Sequence, residues 1–198
     1  MAATVLIVAV AVLNNRLVAN SPVSAPSPSV TGTPLADGST LGASGLAWGD
    51  RPGGGQGQPV AGVQCNTSEM SVEHLHAHLS LFVNGKQIAI PGQIGIVSQG
   101  ATAGCLYWIH THDASGIIHI ESPLTTAPYT LGQFFAIWGE QLTSGNVAGN
   151  RSSIHVFVNG QPYDGNPDAI PLTAHQEITL EVGKPLVNPP IYAFPTGE

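Results

Sequence analysis

The sequence predicts an α+β fold dominated by β structure, in which antiparallel hairpins form a sheet, sandwich or barrel and one short helix (131–139) packs against it. Three observations carry this expectation. His74 to Val83 (HLHAHLSLFV) alternates apolar and polar residues with the period of two that marks a half-buried strand. Phe-Val-Asn-Gly occurs at 82–85 and again at 157–160, and Asn-Gly suits the tight turn of a hairpin. Only 9% of the residues are charged, against about 25% in an ordinary domain, while Gly (24) and Pro (16) are abundant, a composition that favours turns and strands over long helices.

Taken in order, residues 1–19 begin with an unbroken apolar run, Met1 to Leu13. At 1.5 Å per residue it falls short of the roughly 20 residues that span a bilayer, and no Lys or Arg precedes it. Three roles stand open for 1–19: a signal peptide, a signal-anchor holding the chain at a membrane, or a strand donated to a neighbouring subunit, since 4–12 (TVLIVAVAV) is rich in β-branched residues. Residues 20–62 are rich in Pro, Gly and Ser and read as a linker. The head occupies 63–198. A leader or anchor places it outside the cytoplasm, secreted or at the cell surface, where a disulfide persists. Cys65 and Cys105 are expected to form one, because Cys105 has the opposite strand parity to His110 and His112.

Within the head, the first strand puts Leu75, Ala77, Leu79, Leu81 and Val83 on one face and His74, His76, His78, Ser80 and Phe82 on the other. It turns at Asn84-Gly85 and returns through Gln87 to Ile90. Leu106 to Glu121 reads as a second hairpin around Asp113-Ala-Ser-Gly116. Thr130 and Gln133 make a capping-box pattern, Leu131, Phe134, Phe135 and Trp138 an apolar helix face, and Gly139 a stop. Ile154 to Val158 opens the second Asn-Gly hairpin, Glu177 to Val182 is the last strand, and the proline-rich tail from Pro185 to Pro195 is expected to lie extended across the surface.

Five scattered basic residues and a net charge of −7 argue against nucleic acid as a partner. The eight histidines outnumber Lys and Arg together, and six of them fall between His74 and His119. If the second hairpin closes through 113–116, His112 faces Ile117 and His110 faces His119, so that His110, His112, His119 and Glu121 share one face. H-x-H with a third imidazole on the next strand is a common way to build a His₃ metal site. His76 and His78 are candidate further ligands, and Glu121 a fourth ligand or the group that orients His119. Imidazole suits Cu(II) and Zn(II), so copper or zinc is the expected ion. His155 and His175 stand apart and read as structural.

His76 to Leu79, Asn84 to Lys86, Ile90-Pro91, Ile94 to Ile96, Cys105, Trp108 to Ser122 and Leu131 to Gly139 together resemble an uncharacterised family of exported prokaryotic proteins. Its signature runs HxHxL, NGK, IP, IGI, C, HTHDxSGxIHIES and LGxFFxIWG. The resemblance covers most of the head and implies an exported, histidine-rich module. Gly104, His110 and His112 are also similar to the opening of a cupin metal motif, which implies a barrel, although the cupin Glu soon after the second His is missing.

The sequence therefore points to an exported protein that holds Cu(II) or Zn(II) on a strand-borne histidine cluster. Two other readings stand beside it: a structural subunit of an extracellular assembly, self-assembling through 4–12, and a His₃ metal-dependent enzyme, cupin-like or a hydrolase or lyase, with Glu121 or Asp113 as base. The number of protein ligands discriminates holding from catalysis.

Overall fold

The computed structural model describes residues 54–99, 102–125 and 128–198. The leader readings for 1–19, the proposed donated strand at 4–12 and most of the linker lie outside the described residues. Among the described residues, no helix is long and apolar enough to cross a membrane.

Among the described residues the head has twelve strands, one α-helix and one 3₁₀ turn. The long central strand is β2 (Glu73–Val83), preceded by β1 (Cys65–Asn66) and followed by β3 (Lys86–Ile88), β4 (Ile96–Gln99), β5 (Thr102–Tyr107), β6 (Ile109–His110) and β7 (Ile117–Ser122). Then come α1 (Leu131–Trp138), the small ribbon β8 (Leu142–Thr143) and β9 (Asn146–Val147), β10 (Ile154–Val158), β11 (Gln161–Pro162), a 3₁₀ turn at Pro167–Ala169, and β12 (Gln176–Val182).

The main sheet runs β11-β10-β12-β2-β7-β6, with β3 also paired to β2. This path is open at both ends, so the barrel implied by the cupin likeness is not found. One pairing departs from the all-antiparallel expectation: β12 lies parallel to β2, from Gln176↔Ala77 to Val182↔Val83. Both Asn-Gly turns form as expected, with Asn84 and Asn159 at φ 51° and Gly85 and Gly160 at φ 76° and 72°, the left-handed pair of a type I′ turn.

The period of two separates the sheet's faces. Ala77, Leu79 and Leu81 of β2, Ile109 of β6, Ile118 and Ile120 of β7, and Ile178, Leu180 and Val182 of β12 are buried in one apolar core with Leu131, Phe134, Phe135, Ile137 and Trp138 of α1. A helix of eight residues is too short to stand alone; this burial, about 1.5–3 kcal/mol for each large apolar side chain, holds it. Its ends are as expected, with a complete capping box between Thr130 and Gln133 and a left-handed Gly139.

The opposite face is polar and also buried. His76, His78 and Ser80 of β2, His119 and Glu121 of β7, and Glu177, Thr179 and Glu181 of β12 are all under 9% exposed. The C-terminal tail lies over part of this face: the Tyr192 ring stacks on His78 with centroids 3.9 Å apart, and Val187 N–H donates to Glu181 Oε2 at 3.1 Å. Burying so many polar groups is costly unless they are paired, which makes this face the place to look for function.

The Cys65–Cys105 disulfide is formed and joins β1 to β5. The compositional linker boundary at Gly62 falls inside the packed region, because Gly55 N–H donates to Ile137 O at 2.8 Å and Tyr107 is wrapped by 54–58. The Tyr107 hydroxyl accepts from Gly57 N–H and donates to Gln58 O.

Candidate metal centre

Three adjacent strands bring the histidines into one row. β2 pairs with β7 so that His76 faces His119 and His74 faces Glu121, and β7 pairs with β6 so that His119 faces His110. His119 is thus the centre of the row, and its ring lies 4.6 Å from His76, 4.4 Å from His112 and 5.4 Å from His110, centroid to centroid.

The expected pairing of His110 with His119 is present, whereas that of His112 with Ile117 is not. β6 ends at His110, and the loop begins at Thr111 instead of Asp113. The cause is competition from the 91–95 segment. Thr111 N–H donates to Ile94 O, Thr111 Oγ1 to Pro91 O, and Gln93 Nε2 to His112 O. Gly95 makes this approach possible, since a Cβ there would sit 2.7 Å from Ile109 O and 2.9 Å from His110 Cβ. The loop still returns His112 to the site, and its Nε2 lies 3.2 Å from His110 Nε2.

Two overlapping sets of donors result. His110, His112, His119 and Glu121 form one, and His74, His76, His119 and Glu121 the other; within each set the ligand atoms lie within 4.8 Å of one another. A tetrahedral ion with bonds of about 2.0–2.1 Å needs donors about 3.3 Å apart; the His110–His112 pair at 3.2 Å already has that spacing, and the Glu121 Oε1 contacts at 3.5 to 4.0 Å lie a few tenths of an ångström beyond it.

His110 is oriented by its backbone. Its Nδ1 lies 2.8 Å from Tyr107 O, and because a carbonyl only accepts, Nδ1 carries the proton and Nε2 offers a lone pair to the site. Glu121 Oε1 collects three imidazoles, at 3.5 Å from His74 Nε2, 3.6 Å from His119 Nδ1 and 4.0 Å from His110 Nε2. Yet His119 Nδ1 and Glu121 Oε2 are buried without a hydrogen-bond partner. Unpartnered buried polar atoms on two members of the same donor sets are what a cation would satisfy.

Electrostatics agree. Burial, reinforced by neighbouring histidines, depresses His110 to about 4 and His119 to about 3, and lowers His76 against the pull of Glu198. Burial likewise raises Glu121, with Glu69 adding to it. The depressed imidazoles are neutral at physiological pH, the form that binds metal.

His78 is the one expected ligand that joins neither set. Its Nδ1, 3.3 Å from Glu177 Oε2, is buried without a hydrogen bond, while its Nε2 faces Ser115 O at 3.1 Å and ties the 111–116 loop to β2. Gly116 permits this contact, because a Cβ there would meet Leu79 O at 2.5 Å. Asp113 is taken up by the turn, where Oδ1 accepts from Ser115 N–H at 2.8 Å and Ser115 holds its carboxyl below the usual range.

His74 joins a donor set from the expected face of β2, and two carboxylates that no local motif marks also reach the histidines. Glu69 Oε1 lies 3.7 Å from His112 Nε2, and Glu198 Oε2 lies 3.1 Å from His76 Nε2 and 3.9 Å from His119 Nε2. The His74–Glu121 register was recoverable from pairing β2 against β7; nothing local marks Glu69 or Glu198.

No family model, curated protein or solved structure matches this chain. Chemistry at this face therefore rests on its own geometry.

Proposed function

We propose that this chain is an exported metal-binding protein, allied to the prokaryotic family its motifs resemble, that holds Cu(II) or Zn(II) through His110, His112, His119 and Glu121. The observation that carries the reading is the convergence of four donors from β6, β7 and the intervening loop to within 4.8 Å of one another, with His119 Nδ1 and Glu121 Oε2 buried and otherwise unpartnered. Three imidazoles and one carboxylate suit either ion, and the Irving–Williams order favours copper where it is available. Four protein donors fill a tetrahedral sphere, which favours holding an ion over turning over a substrate. Export is supported by the Cys65–Cys105 disulfide, a bond characteristic of oxidising compartments.

The test is metal analysis of the purified full chain after loading with Zn(II) or Cu(II) and desalting. At least one tightly held ion per chain is expected, and His119→Ala/Glu121→Ala should lose it. Wild-type protein that emerges free of metal, or a double variant that keeps the full load, contradicts the reading.

A further inference from the structure

Glu121 belongs to both donor sets, not to one alone. Its Oε1 faces His74 Nε2 on the β2 side at 3.5 Å and His110 Nε2 on the β6 side at 4.0 Å, and its Oε2 is buried without a partner. The two donor sets meet at this carboxylate and at His119. Each set has its own H-x-H pair, His74 and His76 on β2, His110 and His112 at the end of β6. Each also has its own outer carboxylate, Glu198 beside His76 at 3.1 Å and Glu69 beside His112 at 3.7 Å. The arrangement is repeated on either side of β7.

We propose that this face is a dinuclear centre taking two divalent transition-metal ions, one over the β2–β7 gap and one over the β7–β6 gap, bridged by the Glu121 carboxylate. The inference rests on the metal-binding reading above and extends it to a second ion held by His74 and His76. Adjacent strands lie about 4.8 Å apart, so ions over neighbouring gaps are separated by about that distance, a little more than the roughly 3.5–4 Å of bridged two-metal sites. Glu121 Oε1, which faces His74 of one set and His110 of the other, is the atom placed to bridge them. The His119 ring stands between the halves, with Nδ1 3.6 Å from Glu121 Oε1 and Nε2 3.9 Å from Glu198 Oε2, and offers a nitrogen to either. Glu69, Glu121 and Glu198 offset most of the charge of two divalent ions, which neutral imidazoles alone would not do.

The full chain is titrated with Cu(II), desalted, and examined by metal analysis and electron paramagnetic resonance. Two ions per chain and a half-field signal from coupled Cu(II) are expected. His74→Ala/His76→Ala and His110→Ala/His112→Ala should each keep one ion and lose the half-field signal. One ion in the wild type, unchanged in His74→Ala/His76→Ala, overturns the dinuclear centre and leaves the single-site reading standing. Two ions without coupling also overturn it, by placing the second elsewhere, and no uptake overturns both readings. The wild-type stoichiometry and spectrum decide the matter even where a variant does not fold.

Discussion

Glu121 carries a conflict that a bound metal ion would resolve. Its carboxylate is buried, burial raises its pKa, and one oxygen has no hydrogen-bond partner. Glu121→Gln keeps the shape and removes the charge, so metal-free protein should melt higher, by about 1 kcal/mol of added stability, while calorimetry should find metal affinity reduced at least tenfold. Equal affinity in the variant would remove Glu121 from the site. His110 and His119 set the response to acid. Their folded values, about 4 and about 3, lie below the ordinary 6.5 of the unfolded chain, so the unfolded state takes up protons first as pH falls. Their effect on stability is nil above about pH 6.5 and becomes a growing loss as the pH drops toward 4 and then 3. Glu121 and Glu181, both raised by burial, work in the opposite sense, and His76, also lowered, adds to the histidine effect. Urea midpoints of the metal-free protein should therefore be lower at about pH 5 than at about pH 7.5, and a higher midpoint at the acid value would contradict the assignment. The ordinary histidine value alone would place acid release of metal near pH 6; the burial of His110 and His119 moves their part of it lower.

At the level of elements, much was legible because it is local. The alternation in His74 to Val83, the two Asn-Gly turns, the Thr130–Gln133 box and the parity of His110, His119 and Glu121 all depend on neighbours within a few residues, and each appears in the structure. Where a distant segment competes, the local reading failed. β6 stops at His110 because the 91–95 segment takes the hydrogen bonds of Thr111, and β12 joins β2 in parallel through contacts a hundred residues apart in sequence. His78 shares the parity of His76 but faces Ser115 and Glu177 instead. His78→Ala should consequently leave metal stoichiometry unchanged and lower the melting temperature, through lost stacking on Tyr192 and a loosened 111–116 loop. A lost ion in that variant would return His78 to the ligand set. Gly116→Ala should be more damaging than an ordinary surface change, by about 1–3 kcal/mol, since the new Cβ would press on Leu79 O and the residue needs φ 90°.

For the whole molecule, the sheet has one apolar face and one polar face, and both are buried. The apolar face and α1 form the core, and the polar face is built from groups that cost stability when buried. The Cys65–Cys105 disulfide, closing a separation of 40 residues, adds about 4 kcal/mol by restricting the unfolded chain. Denaturation with and without reductant should show a loss of that order, and no difference would mean the core alone suffices. The tail that covers part of the polar face was legible only as an extended segment; which face it covers follows from Tyr192, Phe194 and Glu198 meeting His78, His175 and His76. The proposed function has this face hold metal through imidazoles on β6, β7 and the 111–116 loop. X-ray absorption on the zinc-loaded chain tests it most directly. A shell of nitrogen and oxygen at about 2.0–2.1 Å with the outer scattering of several imidazoles is the predicted spectrum, and an oxygen-only shell without imidazole scattering would contradict it.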